Sequence, residues 1–247
     1  RQRMFAVIAA RAASDPAMAG RTKKALYLEA ASVIDSLVDA IAGRPGQGPI
    51  HHRLAQAWGC DERGADLIRR ALVLLADHEL NASTFAVRVA ASTRASLAAS
   101  ILAGLATLSG PLHGGMTPRV LGLMREIASE GVEMAVSARL ATGMPLPGFG
   151  HPLYPDGDAR ARALLSAFTL PPAYEATRCA VTALTGEEPN IDFVLTAIAS
   201  ELGLGPDVPF QLFAAARCAG WIAHALEQNE TGRLIRPRAR YVGPEPA

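Results

Sequence analysis

Aromatic residues are scarce in this chain: phenylalanine, tryptophan and tyrosine make up 5% of its 247 residues. A β sandwich of this size would use more of them, with more valine and threonine, so their scarcity speaks for closely packed helices. A charge surplus is also missing. The formal net charge is +1, which excludes a general pull towards nucleic acid or an acidic membrane surface. Cysteine is rare and odd in number. Cys60, Cys179 and Cys218 are too far apart for a disulfide framework or a zinc knuckle, and fit a reduced, cytoplasmic protein with buried thiols. The longest run without a charged side chain lies between Arg94 and Arg119 and holds serines, threonines, glycines, Pro111 and His113. A membrane span is excluded on that composition. There is no signal-peptide pattern, no repeat and no strand run. The chain opens on Arg1 rather than Met, so it is expected to be a piece of a longer product.

What the chain does have is alanine and a helical period. Half of the residues are hydrophobic, and the length allows one large domain or two smaller ones. Behind Asp61, the residues Leu67, Ile68, Ala71, Leu72 and Leu75 form one apolar face. Ser83 to Leu108 carries Phe85, Val89, Leu97, Ile101 and Leu105, as one helix or as two with a break near Ser92. Val132, Val136 and Leu140 stack at four-residue steps before Gly143 and Pro145. Asn190 is the expected cap of a helix holding Phe193, Ala197 and Leu202, ended by Gly203. Asp207 is the expected cap of the next, with Leu212, Ala216, Ala223 and Leu226 on one side. Residues 43–50 and 143–158 read as loops, the second rich enough in glycine and proline to act as a hinge. The tail beyond Gly232 is basic.

Two histidines stand in heavily punctuated segments. One is Gly110-Pro111-Leu112-His113-Gly114-Gly115; the other is Pro147-Gly148-Phe149-Gly150-His151-Pro152. Packing does not require such segments, because proline removes a donor and glycine opens unusual backbone angles. His78 ends an apolar helix, and Asp192 falls in the first turn after Asn190, where a helix N-terminus favours the carboxylate. Arg160, Arg217 and Arg236 join them as candidates, since an arginine in an apolar stretch needs an anionic partner. Taken singly, each has a plain reading: a cap, an internal ion pair or a solvated tail. His224 reads as structural. His78, His113 and His151 lack the short spacing of a zinc site, so no metal is expected.

Taken in order, these segments resemble the citrate synthase family. The resemblance rests on His78-Glu79-Leu80-Asn81-Ala82-Ser83-Thr84, Gly110 to Gly115, Gly148-Phe149-Gly150-His151, Asp158-Ala159-Arg160-Ala161, Asn190-Ile191-Asp192-Phe193, Gly220-Trp221-Ile222-Ala223-His224 and Arg236-Pro237-Arg238. It covers residues 78 to about 243 and implies an all-α, two-domain homodimer. Residues 1–115 and 205–247 would form the large domain, and 116–204 an inserted small domain that closes over the substrates.

The implied reaction condenses acetyl-CoA with oxaloacetate and hydrolyses the thioester. By the same resemblance, Asp192 removes a methyl proton, His113 donates to the thioester oxygen, and His151 polarises the ketone and protonates the alkoxide. His78, Arg160 and Arg217 grip the dicarboxylate, Arg236 reaches in from the partner subunit, and Pro145, Leu146, Pro147, Gly148, Phe149 and Gly150 cradle CoA. Acetyl-CoA is then a co-substrate, with no tightly bound cofactor, no nucleic acid and no membrane among the partners. Two departures matter. Pro152 and Pro155 stand where relatives carry basic residues near the CoA phosphates, and Ala159 replaces a proline. Two further readings stand beside the implied reaction: a 2-methylcitrate synthase that takes propionyl-CoA, since no residue here sets the acyl chain, and, on account of Pro152 and Pro155, a weakly catalytic, dicarboxylate-binding regulator.

Overall fold

The computed structural model describes residues 1–243. Among them every regular element is a helix, and the isolated bridge between Phe149 and Pro189 is the sole strand-like pairing. Six helices lead: α1 (Gln2–Ser14), α2 (Lys23–Ala42), α3 (Ile50–Trp58), α4 (Glu62–Leu75), α5 (Ala82–Ser92) and α6 (Leu97–Leu108). Then come α7 (Met116–Glu130), α8 (Val132–Ala141), α9 (Ala159–Leu165), α10 (Pro172–Thr185), α11 (Ile191–Glu201) and α12 (Val208–Thr231).

Local chemistry sets many of the boundaries. Thr22, Asp61, Asn81, Ser96, Asp158 and Asn190 each accept a backbone N–H from the first turn of the helix that follows, which satisfies donors a helix start leaves unpaired. α2, α3, α10 and α12 stop at left-handed Gly43, Gly59, Gly186 and Gly232, the conformation that closes a helix at least cost on glycine.

α12 runs through the middle of the core. Phe210, Ala214, Cys218, Trp221 and Ala225 are all fully buried along it, and it packs on α2, α4, α5, α6 and α11. Replacing Trp221 by alanine would cost about 3–5 kcal/mol, the usual range for an aromatic removed from a core. A second set of helices, α7, α8, α10 and α11, pack on one another, while α9 touches both α4 and α11. The loops that carry the histidines lie where the two sets meet.

The sequence expectations need several corrections. For Ser83–Leu108 the second of the two expected arrangements holds, two helices that part after Ser92; in the break Arg94 takes a left-handed φ of 61° while its carbonyl accepts from Met18 N–H. Leu97, Ile101 and Leu105 are buried as expected, but Phe85 is exposed because α5 turns Ser83, Thr84, Val87 and Ala91 inward instead. Leu140 and Ala223 also lie outside the core. Asp207 makes no capping bond; its carboxylate lies 3.6 Å from the Arg1 guanidinium. Of the three thiols only Cys218 is buried; Cys60 is half-buried and Cys179 exposed.

Candidate active site

One cavity of about 740 Å³ gathers His78, His113, His151, Arg160, Asp192 and Arg217 along its wall. Residues 145–150 line the same cavity. Arg236 does not. It lies exposed in the non-helical tail after α12 and contributes nothing to the cavity of its own chain.

Each side chain is delivered by a short, tightly held segment. His78 follows α4 in the turn 76–81, where Gly220 N–H of α12 donates to Ala76 O at 3.0 Å. His113 sits in the turn between α6 and α7, closed by hydrogen bonds from His113 and Gly115 N–H to Gly110 O, both 3.0 Å. A methyl group at Gly115 would stand 2.6 Å from Pro111 Cα, so that turn tolerates no side chain. The 145–150 loop is laid against the start of α11: Asn190 N–H donates to Gly148 O at 2.8 Å and Asn190 Nδ2 to Gly150 O at 2.9 Å. Gly148 has φ 91°, and a Cβ there would meet Phe193 at 2.9 Å. Asn190 also caps α11 through Asp192 N–H. One residue therefore fixes both the loop and the first turn that carries Asp192.

The three imidazoles are held by different partners. His151 Nδ1 accepts from Leu153 N–H at 3.1 Å, so its proton sits on Nε2. His113 Nε2 lies 2.8 Å from Ser83 Oγ. That hydroxyl already accepts from Trp221 Nε1 at 3.2 Å and lies 2.8 Å from Asn81 Oδ1. Ser83 gives its one hydroxyl proton to Asn81 Oδ1, which also receives two backbone N–H groups, so the hydroxyl meets His113 Nε2 as an acceptor. His78 Nε2 lies 2.8 Å from the Tyr154 hydroxyl. Burial lowers the pKa of all three, helped by Arg160 and Arg217 at His78, by Arg217 at His113 and by Arg160 at His151. His78 falls to about 4. Near pH 7 they are neutral groups that donate or accept in fixed directions, not cations.

The charges are arranged with equal care. Arg160 is buried and clasps Asp158 in two-point geometry, Nε to Oδ1 at 3.0 Å and Nη2 to Oδ2 at 2.8 Å. Burial alone would raise Asp158, but the Arg160 bonds and charge hold its carboxyl below the ordinary value. Asp158 Oδ2 also accepts from Ile191 N–H at 3.0 Å, which ties α9 to α11. Arg217 is 1% exposed. Its Nε donates to Leu75 O at 2.8 Å, and its guanidinium lies 4.9 Å from the Phe213 ring centroid.

No carboxylate is in ion-pair contact with Arg217 among the described residues, and its Nη2 has no hydrogen-bond partner. Asp192 Oδ1 is likewise closed off from solvent and unpartnered. Burial pushes the Asp192 carboxyl up to about 7 against the opposing pull of Arg160, and burial pulls Arg217 down to about 10. An unpaired buried charge is costly; two of opposite sign on one cavity wall mark a place where a ligand completes the set. No group of His, Cys, Asp and Glu side chains among the described residues is placed to hold a metal ion.

Ser83, Tyr154 and Asp158, which residue-by-residue reading passed over, are the hydrogen-bond partners of His113, His78 and Arg160. Ser83 and Asp158 lie inside the segments that carry His78 and Arg160, but nothing local sets them apart, and Tyr154 lies three residues beyond His151, outside its segment. Arg119 and Arg139 also line the cavity, and no spacing on α7 or α8 announces them. Arg139 is held by Glu126 at 2.7 Å on both carboxylate oxygens and donates to Pro145 O at 3.3 Å, so it braces the loop.

This all-helical protein thus gathers directed imidazoles, a raised carboxyl and a buried arginine with an unpartnered Nη2 in one cavity. Comparison with known proteins gives the family. The family model "Citrate synthase, C-terminal domain" matches residues 5–238. The chain belongs to the citrate synthase family. It is 39% identical over 191 residues to Citrate synthase 2 of Bacillus subtilis, covering 73% of this chain and 51% of that protein. It is 37% identical over 187 residues to 2-methylcitrate synthase 2 of Corynebacterium glutamicum, covering 71% and 49%. Among solved structures, the ternary complex of citrate synthase from Thermoplasma acidophilum with carboxymethyl coenzyme A and oxaloacetate aligns with a TM-score of 0.80 and 28% identity, covering 99% of this chain and 73% of that one. The chain spans about half the length of the curated relatives it matches.

Proposed function

We propose that the cavity binds oxaloacetate and acetyl-CoA and condenses them to citrate, with release of CoA. The observation that carries this reading is the pairing of two unsatisfied buried groups, Asp192 Oδ1 and Arg217 Nη2, with three directed imidazoles on one wall. Arg217, with Arg160 and His78, takes the dicarboxylate, since guanidinium forks match carboxylates in two-point geometry. The Asp192 carboxylate removes a proton from the methyl group next to the thioester carbonyl. On substrate binding the Ser83 proton turns from Asn81 Oδ1 to His113 Nε2, and His113 offers Nδ1–H to the oxygen on which enolate charge develops. His151, protonated on Nε2, donates to the ketone of oxaloacetate and then protonates the new alkoxide. A positioned base is worth about 10²–10⁴ in rate and a preorganised oxyanion donor about 10²–10³. Water then cleaves the thioester.

CoA is an anion, and the loop after His151 offers Pro152 and Pro155 in place of cations. Arg119 and Arg139, on the same wall as residues 145–150, are the cations available to its phosphates. The second helix set, residues 116–204, serves as a small domain that closes on residues 1–115 and 205–247, excluding water while the enolate exists. The reading includes a homodimer, for which exposed Leu80 and Phe85, at 61% and 48%, offer apolar surface. Arg236 then completes the partner's site.

The test is release of free CoA thiol from acetyl-CoA and oxaloacetate by the folded protein. Turnover that requires both substrates is expected; none from a folded dimer would end this reading. The likeness to a 2-methylcitrate synthase favours one second reading, propionyl-CoA as acyl donor. One methylene changes binding by only about 1–3 kcal/mol, so the ratio of kcat/KM on the two acyl-CoAs decides between them.

A further inference from the structure

We infer that Tyr154 is a positioning residue that fixes the proton of His78 on Nδ1, making that imidazole a donor to one carboxylate of the bound dicarboxylate. The inference deepens the reading above and rests on it. The Tyr154 hydroxyl lies 2.8 Å from His78 Nε2 and has no other hydrogen-bond partner among the described residues. A phenol carries one proton to donate, and among the described residues Nε2 is the acceptor it meets. Donation into the Nε2 lone pair leaves the neutral ring's own proton on Nδ1. The opposite arrangement would strand the phenol proton and leave a lone pair on Nδ1, which repels a carboxylate.

The surroundings hold the phenol in place. Tyr154 N–H donates to His151 O at 2.9 Å, and Gly157 N–H donates to Tyr154 O at 3.0 Å. The Tyr154 ring lies 4.8 Å from the His151 ring, and the Arg160 guanidinium stands 5.2 Å from its centroid. Tyr154 thus touches three proposed ligand-binding residues at once. A phenylalanine would keep the contact with Arg160 and the packing on His151; only the hydroxyl addresses His78. Burial and the nearby arginines keep His78 neutral near pH 7, so the tautomer rather than the charge is what remains to be set. The bond also spans the two helix sets, from the 151–158 loop to the 76–81 turn.

The test is Tyr154→Phe, which keeps the ring. Loss of one hydrogen bond that orients a donor should raise KM for oxaloacetate about 3–10-fold, with KM for acetyl-CoA and kcat within about twofold. A merely structural role would shift both KM values and the melting temperature together. In parallel, ¹⁵N NMR of histidine-labelled protein, assigned by loss of the signal in His78→Gln, should show His78 as the Nδ1–H tautomer in the wild type and as a mixture in Tyr154→Phe. An unchanged KM for oxaloacetate, or a wild-type His78 protonated on Nε2, overturns the inference. If the wild type fails to condense the substrates, the activity falls on its own account, and the spectrum still decides the role of Tyr154.

Discussion

Asp192 carries a charge that its surroundings resist. Burial raises its pKa to about 7 from an ordinary 3.8. Its ionised form is the proposed base, so kcat/KM should fall as pH drops below about 7. The stability effect has the opposite sign. A carboxyl whose folded value lies above its unfolded value costs the folded state stability as pH rises through that interval, and costs nothing below the unfolded value. Asp192→Asn should therefore melt higher than the wild type at pH 8 and equally near pH 3, by calorimetry, while condensation falls by about 10²–10⁴. Ser83→Ala is a second test at this scale. It frees His113 Nε2 and leaves the buried Trp221 N–H without its acceptor, a cost of about 1–3 kcal/mol. Urea unfolding should show that loss, and kcat should drop while KM for oxaloacetate holds. His113, His151 and Asp192 were legible because glycine and proline punctuation, or a cap, sets them apart. Ser83 and Tyr154 were not, because a serine in a helix start and a tyrosine in a loop look ordinary until the fold brings each to an imidazole distant in sequence.

At the scale of elements, caps do double duty. Asn190 ends the 145–150 loop and begins α11. Asp61 only begins α4. Each cap replaced by alanine should cost about 1 kcal/mol, read by denaturant midpoint. Asn190→Ala should also lower kcat/KM for acetyl-CoA several-fold, and Asp61→Ala should not. Helix positions were readable from the sequence because polar caps and apolar periods repeat locally. Facing was less so. Phe85 fits an apolar stripe yet lies exposed, since α5 meets α6 and α12 through small residues. Asp207 has the chemistry of a cap but sits in a helical conformation and turns to Arg1 instead. Such choices depend on tertiary partners that no local window contains.

At the scale of the molecule, the site joins two helix sets, and the proposal extends it to two chains. If Arg236 serves the partner's cavity, Arg217→Gln and Arg236→Gln are each inactive alone. Subunit exchange between them then restores thiol release, because a mixed dimer assembles one site with neither defect. No recovery after exchange, with mixed dimers confirmed by native mass spectrometry, would place Arg236 outside the site. The all-helical class was legible in composition; the meeting of six distant residues at one cavity was legible through the family resemblance, since no single spacing encodes it.

The most direct test of the central claim is a crystal structure of the protein with oxaloacetate and a non-reactive acetyl-CoA analogue. The account predicts the dicarboxylate on Arg217, Arg160 and His78, with the analogue's acyl carbon between Asp192 and His113. Oxaloacetate or the acyl group bound elsewhere, with Asp192 Oδ1 and Arg217 Nη2 still unpaired, would contradict it.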